Sequence, residues 1–466
     1  MPESSSSSDA PATLVWLRRD LRLSDHEALS AAAARGPVAV MYVLDPVLLT
    51  RPSGPRPAFL AATLRALDAD LGGALWIVSG RPADEVPAVA RAVGADRVIV
   101  TEDFTPYGRR RDGAVRRALE SHGIKLTARG TNYAVRPGTL VTKTGGPFKV
   151  FTPFRAAWMA HGWTDPLPLA ASRWIAPTNP EVRRHGLDAL TALDGPLPAW
   201  LEPGERGAER SLEQFATARL GRYDRERDLP GVDGTSRLGP HLRFGTIHPR
   251  TVLAALGGER ADEVFRSEIA WREFYADVLL RDPSSGWRTM QPSMVSMRVD
   301  DDSTPGARDR FDAWCAGRTG YPIVDAGMRQ LLAEGFMHNR VRMIVASFLV
   351  KDLHLPWQWG AGHFMAHLAD GDLASNSHGW QWTAGTGTDA APYFRIFNPV
   401  SQGEKFDPDG RYVRCYVPEV SDMPDKWVHQ PWASPSGAPR GYPAPIVDHA
   451  VERAEALARL AETKRA

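Results

Sequence analysis

The order of apolar patterns predicts an α/β N-terminal domain on a doubly wound parallel sheet, followed by an all-α C-terminal domain. Three observations carry this. Short apolar runs alternate with Ala-rich stretches up to about residue 130, and long helical patterns replace them after Glu205. The chain's 466 residues also exceed the usual single-domain size, so two separate cores are expected.

Residues 1–11 are Ser-rich, lack a basic-then-apolar signal pattern and read as a disordered tail. In 12–130 the runs at 14–17, 38–44, 75–78 and 98–101 are apolar but for Thr101, as suits strands buried on both faces. Between them, 59–71 and 83–93 read as helices, and that alternation implies a parallel sheet. No Gly-x-Gly-x-x-Gly follows the first strand, so the dinucleotide fingerprint is absent. Residues 131–205 are rich in Pro, Gly and Trp with little periodicity, and read as a connector draped over the surface. From 206 to 466 helical patterns dominate, at 211–219, 261–280, 322–334 and 340–352, with a final exposed amphipathic helix over 450–464.

Lys plus Arg total 56 against 55 acids, so overall charge does not advertise a nucleic-acid partner, although a local groove can still be basic. The two cysteines, Cys315 and Cys415, are too few for a four-cysteine cluster and give no disulfide framework. A reduced, cytoplasmic setting is expected, with no metal. No apolar run approaches the ~20 residues that span a bilayer, so no membrane partner is expected.

Several segments mix residue types that a simple core would not. The loop 233–239, Asp-Gly-Thr-Ser-Arg-Leu-Gly, packs hydroxyls, backbone donors and Arg237 ahead of a helix. Such a turn can hold a phosphate, but taken alone it is better explained as a helix cap. On one helical face, Glu268, Trp271 and Tyr275 place a carboxylate beside an indole, which can read a base edge while the ring stacks on it. A core aromatic stripe with a paired acid is the commoner use of that pattern. Asn339, Arg342 and Met343 put an amide, a cation and a thioether on neighbouring turns, a mixture that a ligand-lined face explains better than a core. Arg342 is expected to pair with Asp370 or Asp372, a purely structural ion pair being the competing reading. The stretch 370–399 combines acids, amides, tryptophans and Gly-rich turns, where something specific must be held.

Together these segments resemble the DNA photolyase and cryptochrome family, most closely bacterial photolyases for cyclobutane pyrimidine dimers. The resemblance spans about 13–446. It rests on Trp-Leu-Arg-Arg-Asp-Leu-Arg22, Gly-Thr-Ser-Arg-Leu238, Trp-Arg-Glu-Phe-Tyr275, the run 319–329, Met-His-Asn-Arg340, the stretch 370–398 and Gln-Gly-Glu-Lys-Phe-Asp407.

The resemblance implies one U-shaped FAD in the helical domain, active as FADH⁻. It would be held by Tyr223, Thr235, Ser236, Arg237, Leu238, Gly239, Arg342, Asp370, Asp372 and Asn376. Gly239 stands where many relatives carry Ser. Asn376 matches the residue facing flavin N5, where plant cryptochromes tend to have Asp and animal ones Cys. The implied reaction is light-driven electron transfer to a dimer flipped out of UV-damaged DNA, whose ring splits before the electron returns. Glu268, Trp271, Asn339, Met343 and Trp382 match the lesion pocket, and Trp380 and Trp357 the first two members of a tryptophan relay. Arg227, Arg272, Arg340, Arg395 and Gln402 match positions that hold the DNA backbone.

Two departures are visible. The family's Asn-Asn-Gly-Gly reads Asn376-Ser-His-Gly379 here, with His378 expected to be structural, and no aromatic occurs between Trp287 and Phe311 for the third relay member. Trp314 and Trp359 are the substitutes considered. The segment 102–112 looks more like members binding an antenna of the 8-hydroxy-5-deazaflavin type than methenyltetrahydrofolate. A monomer is expected. The competing readings are a cryptochrome-type blue-light receptor, a photolyase for (6-4) products, and a redox flavoenzyme, for which no nicotinamide site is found.

Overall fold

A computed structural model describes residues 11–49, 54–169 and 172–463. All of the expected tail but Pro11 lies outside the described residues, as does Lys464 at the other end. Packing divides the chain into two compact units. The first comprises residues Met1–Thr139, Trp158–Ala216 and Arg237–Gly257, and the second Leu140–Ala157, Thr217–Ser236 and Gly258–Ala466.

In the first unit β1 (Ala12–Leu17), β2 (Val38–Leu44), β3 (Leu75–Ser79), β4 (Ala95–Glu102) and β5 (Lys125–Thr131) form one parallel sheet in the order β3-β2-β1-β4-β5. Val15 of β1 lies opposite Val40 of β2 and Ile99 of β4. Every residue of β1 and β2 is buried, which is why their sequences are continuous apolar runs. Helices α1 (Glu27–Ala33), α2 (Arg56–Asp70), α3 (Pro82–Ala92) and α4 (Pro106–Glu120) alternate with the strands. Val86, Val89 and Ala90 of α3 and Val115 and Leu119 of α4 share one core with Leu14, Trp16, Met41 and Val98. The fifth strand lacks an apolar run because β5 is an edge strand of mostly polar residues, with Leu126 alone buried.

The described residues of 131–205 are not without regular structure. They carry helices Phe151–His161 and Pro180–Thr191. Gly186 lets the second pack on β3, since a Cβ there would meet the Ile77 carbonyl oxygen at 2.4 Å. Asp25, fully buried in the first unit, accepts hydrogen bonds from Arg250 Nη2 (2.6 Å), Leu167 N (3.0 Å) and Thr251 Oγ1 (3.2 Å). Burial opposes its charge, but these donors and His248 hold its carboxyl well below the usual range.

The second unit is helical: α5 (Arg260–Arg281) is its longest described helix, and α6 (Pro322–Glu334), α7 (Asn339–Lys351), α8 (Trp357–His367), α9 (Leu373–Ala384) and α10 (Pro399–Phe406) contribute to a core including Trp314, Phe348 and Leu349. The last helix, His449–Thr463, is amphipathic but not wholly exposed: Ala456 and Arg459 are buried, and Arg459 donates to Asp300 Oδ1 at 2.8 Å. No helix among the described residues is long and apolar enough to cross a membrane. None of their His, Cys, Asp and Glu groups is placed to hold a metal ion.

Candidate functional site

Helix α5 sets one wall. A capping box between Glu259 and Asp262 fixes its start, so Glu268, Trp271 and Tyr275 fall on a common face. Glu268 Oε1 accepts from Arg227 Nη1 at 2.7 Å, and the guanidinium lies 5.4 Å from the Tyr223 ring centroid. Burial pushes the Glu268 carboxyl above its ordinary range, and Arg227 offsets part of that rise. Tyr223 packs edge-on to Phe265, and Arg272 is partly buried beside Trp271. Trp271 stands in a file of rings. Phe151 stacks on it at 3.7 Å with planes 8° apart, Tyr275 lies 5.3 Å away, and His378 stacks on Tyr275 at 5.3 Å.

Helix α7 brings the second group. Its N-cap is His338, whose Nδ1 accepts from Arg340 N at 3.2 Å, so the ring must be neutral there; burial pushes it down to about 4. Asn339 is exposed, while Arg342 and Met343 are partly buried on the next turn. Arg342 donates through Nη2 to Asp370 Oδ2 (2.9 Å) and through Nε to the Met337 carbonyl (2.8 Å), so the expected pairing forms with Asp370. Arg340 pairs with Asp228 at 2.9 Å and covers the Phe406 ring at 4.4 Å.

Helix α9 opens on Asp372, whose Oδ1 caps Ser375 N at 3.1 Å. One turn in, Asn376 Nδ2 donates to the Ala361 carbonyl at 3.0 Å, which engages one of the amide's two hydrogens. His378 is buried; it meets the Ala374 carbonyl at 2.7 Å through Nδ1 and Ser285 Oγ at 3.0 Å through Nε2. Gln381 and Ser377 bond the carbonyls of Ser285 and Gly286. These three side chains stitch α9 to the 283–286 turn, which accounts for His378 as a structural residue. Trp380 packs where Gly360 leaves room, since a Cβ there would meet its ring at 2.1 Å. Its neighbours are Phe364 at 5.0 Å and Trp314 at 6.0 Å. Trp357 opens α8 and donates to Thr289 Oγ1 at 3.3 Å, while Trp359 lies 5.2 Å from Phe311. Trp382 is partly buried.

The remaining expected residues belong to other segments. Arg219 donates to the Thr235 carbonyl at 3.1 Å, and Ser236 follows in the second unit. Arg237, Leu238 and Gly239 belong to the first. Arg237 has a left-handed φ of 52° and lies over Trp200 at 5.6 Å, and Leu238 is the N-cap of the Gly239–Phe244 helix. Arg395 is exposed, whereas Gln402 on α10 is half-buried. In the first unit Arg18 and Arg111 flank the Trp16 ring at 4.7 and 5.0 Å, and Arg111 pairs with Asp103 at 3.1 Å. This group sits at the carboxyl ends of β1 and β4, where the strand order reverses.

Sequence reasoning missed Phe151, Ser285 and Asp228. Only Phe151 left a signal: Phe151, Phe154 and Trp158 recur at helical spacing in a segment read as connector.

Two atoms bear on whether a flavin fits. Asp370 Oδ1 and Trp380 Nε1 are buried without a hydrogen-bond partner among the described residues. An acid oxygen beside Arg342 and an indole donor on α9, both left this way, suit a polar, ring-bearing ligand better than a closed core.

Comparison with known proteins agrees. Residues 265–462 match the family model described as FAD binding domain of DNA photolyase, and residues 13–172 the one described as DNA photolyase. The deoxyribodipyrimidine photo-lyase of Halobacterium salinarum is 40% identical over 486 residues, covering 96% of this chain and 98% of its own. A bacterial class III photolyase from Agrobacterium tumefaciens superposes with a TM-score of 0.89 at 38% identity, covering 100% of both chains. An archaeal photolyase from Sulfolobus tokodaii with two FAD molecules gives 0.85 at 29%, covering 97% of this chain and all of its own. With relatives this similar along nearly its whole length, the chain belongs to the DNA photolyase family.

Proposed function

We propose that the protein is a light-dependent DNA repair enzyme, a deoxyribodipyrimidine photo-lyase that splits cyclobutane pyrimidine dimers. The observation that carries the reading is the α5 face, where Glu268, aimed by Arg227 at 2.7 Å, stands one turn from Trp271. An acceptor beside an aromatic plane suits a flipped pyrimidine, whose edge needs a hydrogen bond and whose face needs a ring. Asn339 and Met343 on α7 and Trp382 on α9 complete the proposed lesion side.

Bound in its reduced form, FAD supplies one electron on blue-light excitation and recovers it after the cyclobutane bonds break, with no net redox change. Arg342 and Asp370, with Asp372, Tyr223, Thr235 and Ser236, hold it in this reading, and residues 237–239 carry the same assignment. Asn376 presents a neutral amide to the flavin, which adds no negative charge beside a reduced ring. Trp380 and Trp357 serve as the first two members of the relay, and the third is either Trp314, 6.0 Å from Trp380, or Trp359. Arg227, Arg272, Arg340, Arg395 and Gln402 hold the DNA backbone. The protein acts as a cytoplasmic monomer.

An antenna of the 8-hydroxy-5-deazaflavin type, rather than methenyltetrahydrofolate, belongs to the same reading. The switch point of the sheet, where open α/β folds bind ligands and where Trp16, Arg18 and Arg111 gather, supports it.

The test is Glu268→Ala against Glu268→Gln. Removing a hydrogen bond to a charged group costs about 1.5–3 kcal/mol, so the Ala variant should bind dimer-containing DNA roughly 10- to 100-fold more weakly, and Gln less so. Equal binding by all three proteins would refute the lesion face.

A further inference from the structure

Phe151 belongs to the second unit but lies in the stretch 131–205, ahead of the five helices that carry the site. Its ring takes one face of Trp271 at 3.7 Å and 8°. The pose is held from three sides. Phe151 N donates to Asp389 Oδ2 at 2.8 Å, and Thr388 Oγ1 donates to the Lys149 carbonyl at 3.0 Å, which ties the segment to the loop after α9. Arg155 donates to Ser267 Oγ at 2.8 Å and to Glu263 Oε2 at 2.9 Å, which ties it to α5. Phe154 packs on Phe274 at 5.2 Å beneath.

We infer that Phe151 is a positioning residue for lesion recognition: stacked on one face of Trp271, it fixes the indole plane so that the opposite face meets a flipped base. The inference rests on the reading of Trp271 as a lesion wall. A free indole must lose its side-chain freedom when a base stacks on it, whereas an indole already stacked on Phe151, with Tyr275 tilted 42° against it at 5.3 Å, has lost it on folding. The same ring also denies its face of Trp271 to solvent, so stacking from the other side completes the file.

The experiment measures, in the dark, the affinity of the flavin-containing protein for duplexes with and without one thymine dimer. The variants are Phe151→Ala, Phe151→Tyr and Trp271→Ala, with flavin absorbance as a check on the site. The expected result is that Phe151→Ala weakens dimer binding about 2- to 10-fold, the scale of one aromatic pair, while undamaged-DNA affinity and flavin content hold. Phe151→Tyr, which keeps the ring, should restore binding. Unchanged or tighter dimer binding by Phe151→Ala, with Trp271→Ala weakened, would overturn the inference while sparing the lesion wall. Tighter binding would mean that the Phe151 ring occupies the place of the base. Unchanged binding by Trp271→Ala would overturn the lesion-wall reading and the inference with it.

Discussion

Strands β1 and β2 and helix α9 are buried by different means. The strands bury every residue, and all but Thr13 are apolar or aromatic. Helix α9 buries Ser377, His378, Gln381 and Thr383 among its apolar neighbours, three of them bonded to the 283–286 turn. A surface held by area tolerates exchange among apolar shapes, whereas one held by directed bonds fixes orientation and costs more when a single partner is lost. The sheet is thus a scaffold, and α9 aims Asn376, Trp380 and Trp382.

The largest effect that sharpens this contrast is expected in the sheet. Met41→Ala in β2 leaves a cavity and should cost about 2–5 kcal/mol in denaturant unfolding, while repair per bound flavin stays unchanged. A loss of repair per flavin would show that the sheet does more than support.

Next comes pH. His338 caps α7 as a neutral ring, and burial pushes it down to about 4. The unfolded chain binds its proton below about 6.5, so the contribution is fully present above that pH and is lost as pH falls toward 4. The loss, at most about 3 kcal/mol, should appear as a falling melting temperature that His338→Gln flattens. The strands β1 and β2 carry no group titrating in that window.

Arg342→Met removes the Asp370 pair and should weaken flavin retention roughly 10- to 100-fold in a dialysis assay, with little change in helix content. The smallest effect is on the surface: Arg395→Gln should reduce the salt slope of DNA binding by about one, leaving the dimer preference intact.

The same contrast explains what could be read in advance. Strand runs such as 38–44 are legible because full burial demands an unbroken apolar pattern, and α5–α7 because their periodicity is long. Edge strand β5 is polar and was invisible for that reason. The site residues were legible only as motifs, because their partners lie far away in sequence. Glu268 meets Arg227 across 41 residues and His378 meets Ser285 across 93, and no local pattern encodes either. Phe151 shows the intermediate case. Its helical spacing was present, but Pro and Gly around it favoured a connector, and its contact with Trp271 needs the tertiary fold.

The most direct test is blue-light illumination of the flavin-reduced protein with an oligonucleotide carrying one cyclobutane thymine dimer, beside a parallel (6-4) substrate and a dark control. The account predicts dimer reversal in light and none in darkness, with the (6-4) product untouched. No reversal despite bound, reduced flavin, or reversal of the (6-4) product alone, would contradict it.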